Sequence, residues 1–199
     1  MAYGVTAYTV KWELFEKYVY GVKTTAILKS MNIYANWHVD LAELFKGTKS
    51  ITPKKAAEEI VAGNITRTDR MSGGMYRYVL EKMFWKGNTL LFCKKVNPWW
   101  DACEPGESFL AIGTRLASSA FYPIKFDCVE RLFFDFEEIP LPLPSQDNFP
   151  VTSFIRFEKL QELKKDFSAV NLPIECHKEF KGWLDTAIQL EHDLVLYYY

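Results

Sequence analysis

Residues 137–150 read EEIPLPLPSQDNFP and hold four of the nine prolines in a chain of 199 residues. Three readings compete: a linker between domains, a ligand for another protein's aromatic groove, or a strap fixed within one domain. A linker separates cores that each stand alone, yet only about fifty residues follow Pro150, near the lower limit for an independent core. An exposed PxxP ligand sits in polar, disordered surroundings, whereas these prolines alternate with Ile139, Leu141 and Leu143. That alternation gives an extended segment one apolar side. The expectation is a single domain over 1–199 with the strap 138–150 packed on it. The strap should be polyproline-like from Pro140 to Pro144 and turn at 145–148 into a helix.

Downstream, TSFIRFEKLQELKKDF places Phe154, Phe157, Leu160, Leu163 and Phe167 on one helical face, with Thr152 or Ser153 as cap. A second amphipathic helix follows in ECHKEFKGWLDTAIQLEHD, through Phe180, Trp183, Leu184, Ala187 and Ile188. The closing LVLYYY is too apolar for a frayed tail and reads as a strand. Upstream, residues 3–10 alternate as a first strand, so a sheet containing both ends of the chain is expected. Trp12, Phe15 and Val19 mark a short helix after it.

The sharpest local signal is SITPKKAAEEIVAG: Thr52 as N-cap, Pro53 in the first turn and Gly63 at the stop. Its Lys54, Lys55, Glu58 and Glu59 form an expected solvated face. NITRTDRMSGG reads as a polar surface loop before a helix carrying Met75, Tyr76, Val79, Leu80, Met83 and Phe84. NTLLFCKKV finishes that turn or forms a strand, and residues 108–139 follow no single period. The fold class is therefore α+β, a helix-rich domain with a small, mainly antiparallel sheet.

Composition excludes several functions. Hydrophobic residues make up 49% and aromatic residues 16%, enough for a packed core. A net charge of −1, with lysines interleaved among glutamates, argues against nucleic acid as a partner. The opening MAYGVTAYTVKW lacks a basic stretch followed by a long apolar run, so no secretory signal is expected. No apolar run reaches the roughly 18 residues that a membrane span needs. Cys93, Cys103, Cys128 and Cys176 show no CxxC spacing and read as reduced thiols, which points to the cytoplasm.

Candidate chemistry is sparse. His38, His177 and His192 lack metal-ligand spacing, so no metal or other cofactor is expected. Cys103 lies beside Asp101 and Glu104, which raise a thiol's pKa and blunt its reactivity. MSGGMYR offers two glycines before a helix but no phosphate-loop lysine. Carboxylates concentrate at Glu130, Asp135, Glu137, Glu138 and Asp147, with Lys125 and Arg131 as neighbouring cations. The bland reading is a solvated rim; the sharper one is a docking surface for a basic partner. The adjacent Trp99 and Trp100 cannot share one direction, so one is a candidate interface anchor beside Asp101 and Glu104.

The YGVTAYTV start, the central YRYVLEKMF, the PLPLPSQDNFP strap and the GWLDTAIQLEHDLVLYYY end occur in that order. Together they resemble a family of uncharacterised bacterial proteins of similar length, known as a domain of unknown function. This chain departs from that pattern at Asn148, where Asp is usual, and at Arg77 and Glu81, where smaller residues are usual. The resemblance implies a bacterial, intracellular, single-domain protein and supplies no catalytic residue.

The resulting expectation is a non-enzymatic protein-binding protein, an immunity protein whose partner is a cognate toxin. Its candidate contact residues are Trp99, Trp100, Asp101, Glu104, Asp135, Glu137, Glu138 and Asp147. The alternatives are an enzyme or small-molecule binder assembled from Cys103, His38, Tyr76 and the carboxylates, or an accessory subunit of a biosynthetic or defence system. Oligomeric state leaves no trace in the sequence.

Overall fold

A computed structural model describes residues 5–19, 50–87, 93–95, 137–145, 151–168 and 174–198. Its elements, in chain order, are β1 (Val5–Val10), α1 (Trp12–Val19), α2 (Pro53–Ala62), α3 (Arg70–Gly87) and β2 (Cys93–Lys95). They continue with β3 (Val151–Ile155), α4 (Phe157–Ser168), α5 (Ile174–Leu190) and β4 (Asp193–Tyr198). The fold class is α+β, with one antiparallel sheet among the described residues. Residues 108–136 and 146–150, which hold most of the ambiguous stretch and most of the expected turn at 145–148, lie outside the described residues.

The chain divides into two compact units, neither made of one continuous segment. Among described residues, the first holds 5–11, 93–95, 137–140, 151–168 and 174–198. The second holds 12–19, 50–87 and 141–145. The two parts of the strap thus belong to different units.

In the first unit the strands run in the order β2-β1-β4-β3, and every pairing is antiparallel. Strands from the two ends of the chain meet in the middle, with Val5 opposite Tyr198 and Val10 opposite Asp193. Alternation places Ala7, Thr9, Leu194, Leu196, Ser153 and Ile155 on one face, and Tyr8, Val10, Val195, Tyr197, Thr152 and Phe154 on the other. All twelve are buried. A sheet covered on both faces has no reason to alternate in hydrophobicity, which is why Leu194, Val195, Leu196 and Tyr197 read as an unbroken apolar run. Helices α4 and α5 pack against the sheet. Leu160, Phe180, Trp183, Leu184 and Ala187 supply their buried side, with Phe180 and Trp183 edge to face at 5.7 Å.

The expected helix starting at Thr152 or Ser153 is corrected: Val151–Ile155 is a strand, and α4 begins only at Phe157. The apolar spacing ran unbroken across the junction because Phe154 is buried as a strand residue and Leu160 as a helix residue. Locally the two look alike, and the pairing with β4 decides between them. For the same reason the strap leads into a strand, not a helix.

In the second unit α2 is bounded as its sequence predicts. The Lys55 amide donates to Thr52 Oγ1, and Pro53 opens the helix. Gly63 closes it at φ 62°, with amides 63 and 64 returning to the carbonyls of Ile60 and Glu59. One face is corrected: Glu59, read as solvated, is buried. Helix α3 begins at Arg70, so Met71, Ser72, Gly73 and Gly74 are helical rather than loop. Asp69 is the cap that the sequence reading overlooked. Its two carboxylate oxygens accept from the Ser72 amide at 2.9 Å and the Ser72 hydroxyl at 2.8 Å. Met75, Tyr76, Val79, Leu80, Met83 and Phe84 are all buried, and Phe15 of α1 packs against Phe84 at 5.3 Å.

The strap is not plain polyproline. The Leu143 amide donates to the Leu141 carbonyl at 2.7 Å, a γ-type closure across Pro142 that a polyproline helix lacks. Ile139 is buried, while Leu141 and Leu143 are half-buried.

Candidate functional site

Of the sequence-predicted contact residues, Glu137 and Glu138 are described. Trp99, Trp100, Asp101, Glu104, Asp135 and Asp147 lie outside the described residues, as do His38 and Cys103. Both glutamates are exposed on a backbone fixed to the sheet edge, where the Phe154 amide donates to the Glu137 carbonyl at 2.8 Å. The Glu137 carboxylate accepts from Arg156 Nε at 3.0 Å, and the Arg156 guanidinium stands 5.7 Å from the Phe154 ring centre. Both side chains of this ion pair are more than half exposed, so it contributes little stability. It does place a carboxylate, a guanidinium and an aromatic ring side by side at the start of the strap.

The second unit holds a polar cluster that the sequence reading missed. Glu59 of α2 accepts from the Thr66 amide at 2.9 Å, from the Thr66 hydroxyl at 2.7 Å, and from the Tyr76 hydroxyl of α3. Burial alone pushes the Glu59 pKa up. Hydrogen bonds from Tyr76 and Thr66, with the Lys55 charge, outweigh it, and the net shift is downward. Burial, then the hydrogen bond to Glu59, pushes the Tyr76 hydroxyl up to about 12. The carboxylate therefore keeps its charge and the phenol keeps its proton. A general acid near neutral pH needs the reverse arrangement, a carboxyl with a raised pKa. Tied to α2, α3 and the loop between them, the cluster acts as a lock on the helix hairpin. The sequence did carry a trace of it, since Glu59 and Tyr76 both fall on the apolar faces of their helices.

In the first unit, His192 Nδ1 lies 3.2 Å from Thr9 Oγ1, and Lys11 Nζ donates to the Glu191 carbonyl at 3.1 Å. Burial, then the Lys11 charge, lowers the His192 pKa. Among the described residues no group of His, Cys, Asp and Glu is arranged to hold a metal, and no helix is long and apolar enough to cross a membrane.

Comparison with curated proteins and with solved structures found no match. Over residues 1–199 the chain matches the sequence family described as Domain of unknown function (DUF7691), and it belongs to that family.

Proposed function

We propose that this chain is a non-enzymatic protein-binding protein, an immunity protein of the bacterial cytoplasm that neutralises a toxin delivered by competing bacteria. The observation that carries the reading is the exposed Glu137–Glu138 pair on a backbone pinned to Phe154. Carboxylates held on a fixed backbone steer a basic partner into register and speed its encounter, an effect that weakens with salt. Trp99 or Trp100 is the proposed buried anchor, with Asp101, Glu104, Asp135 and Asp147 extending the acidic surface. The carboxylates of Glu59 and Asp69, by contrast, are committed to holding helices.

Co-expression with the product of the neighbouring gene tests this reading. A toxic product should become tolerated and should co-purify with the chain. Glu137→Lys with Glu138→Lys should slow association by about 10-fold or more at low salt. A neighbouring product that is harmless alone, or that does not co-purify, overturns the reading.

A further inference from the structure

The strap meets α3 the way a bound peptide meets its receptor. A Cβ added at Gly73 would stand 2.6 Å from the Pro144 carbonyl oxygen and 2.7 Å from that of Ser145. Side-chain carbons do not approach oxygen so closely, so the absence of a side chain at 73 lets the strap backbone reach the helix. One turn further on, the buried Arg77 donates Nη1 to the Pro144 carbonyl at 2.7 Å and to the Gly73 carbonyl at 3.3 Å. The slot reads main-chain carbonyls, while Pro142 and Ser145 are exposed. Backbone capture of this kind is how domains hold extended segments of other chains.

We propose that Gly73 and Arg77 form a receptor slot for a proline-containing segment, and that residues 141–145 of the same chain occupy it as a displaceable clasp. Proline suits the slot on two counts: it fixes one backbone angle before binding, and it brings no amide N–H that needs a partner. Lifting the clasp removes Pro144 as an acceptor for a buried guanidinium, so release is favoured when another carbonyl takes its place. The slot lies within one compact unit and does not depend on toxin neutralisation.

The test uses a fluorescently labelled PLPLPS peptide, the sequence of residues 140–145, titrated into the full chain. The variant carrying Pro140→Gly, Pro142→Gly and Pro144→Gly has a loosened clasp and should bind the peptide about 10-fold tighter than the parent. Adding Gly73→Ala to that variant should abolish binding. Equal affinity for parent and variant, binding by neither, or binding undiminished by Gly73→Ala overturns the proposal. Hydrogen exchange on the unmodified chain decides the matter if the variant does not fold. The amides of Leu143 and Ser145 should open while those of α2 and α3 stay protected, and opening of all of them in one step overturns the clasp.

Discussion

The amide of Phe157, the first residue of α4, donates to Oδ1 of Asp193, the first residue of β4, at 2.9 Å. A helix N-terminus carries orphan amides, and here one is satisfied by a residue 36 positions later in the chain. The strand that gives β3 its partner thus also caps the helix that β3 leads into. Asp193→Ala should cost about 1–2 kcal/mol of stability, the usual loss for a helix cap. Asp193→Asn keeps an acceptor and should recover most of it. Urea midpoints of both variants check this.

Removing the hydroxyl of Tyr76 takes one of three donors from the buried Glu59 carboxylate. Tyr76→Phe should destabilise by about 1–3 kcal/mol, the loss expected when a hydrogen bond to a charged group is removed. Because the folded pKa of Tyr76 is raised from 10.0 to about 12, its stabilisation is full below pH 10 and is lost as pH climbs towards 12. The gap between parent and Tyr76→Phe in thermal midpoint should therefore narrow over that window.

Glu59 behaves in the opposite sense. Its folded pKa lies below the ordinary value of 4.5, so the charged form stabilises the fold above 4.5. That contribution is lost as pH falls through the lowered folded value. Glu59→Gln should be less stable than the parent at pH 7 and approach it at pH 3 in denaturant titrations. A constant difference between the two pH values would show that the charge is not what matters.

His192 carries a second pH dependence. Its pKa is held below 6.5, so the unfolded chain takes up the proton first as pH falls. The stability due to the neutral ring is complete above pH 6.5 and declines below it, down to the lowered folded value. His192→Gln should flatten the stability profile between pH 7 and pH 5, measured against the parent in the same buffers.

Both α2 and α5 end in the same paired pattern of returning amides. At the end of α5, amides 191 and 192 reach the carbonyls of Ile188 and Ala187. The left-handed residue is Gly63 in one case, at φ 62°, and Glu191 in the other, at φ 52°. A glutamate there bears a steric cost that glycine avoids. Glu191→Gly should raise stability by about 0.5–1 kcal/mol, and Gly63→Ala should lower it by a similar amount. Thermal melts of the two single variants read both signs.

Where a signal is short-range, it was legible in the residues. Thr52, Pro53 and Gly63 bound α2 because a cap, a fixed φ and a left-handed turn depend on a few neighbouring atoms. The apolar stripe from Met75 to Phe84 places α3 in the same way, by spacing alone. The candidate site was less legible. Glu59 looked like one more surface charge until Thr66 and Tyr76 converged on it from the loop and α3. Gly73 and Gly74 looked like loop because glycine is a poor helix former, and the sequence does not announce that strap carbonyls fill the space a side chain at Gly73 would take.

The sequence by itself determined the class of the fold, the bounds of α2, the buried faces of α3 and α5, and the closing strand. Each follows from local sterics or from apolar periodicity within a single element. Tertiary structure decided that Val151–Ile155 is a strand, that Asp193 caps α4, that Glu59 keeps its charge in the interior, and that Pro144 and Ser145 lie against Gly73. Each of these depends on a partner distant along the chain, and no local pattern of residue types carries the identity of that partner. The prolines of 137–150 show both sides: their alternation with Ile139, Leu141 and Leu143 foretold an ordered strap, and only Gly73 and Arg77 say where it is held.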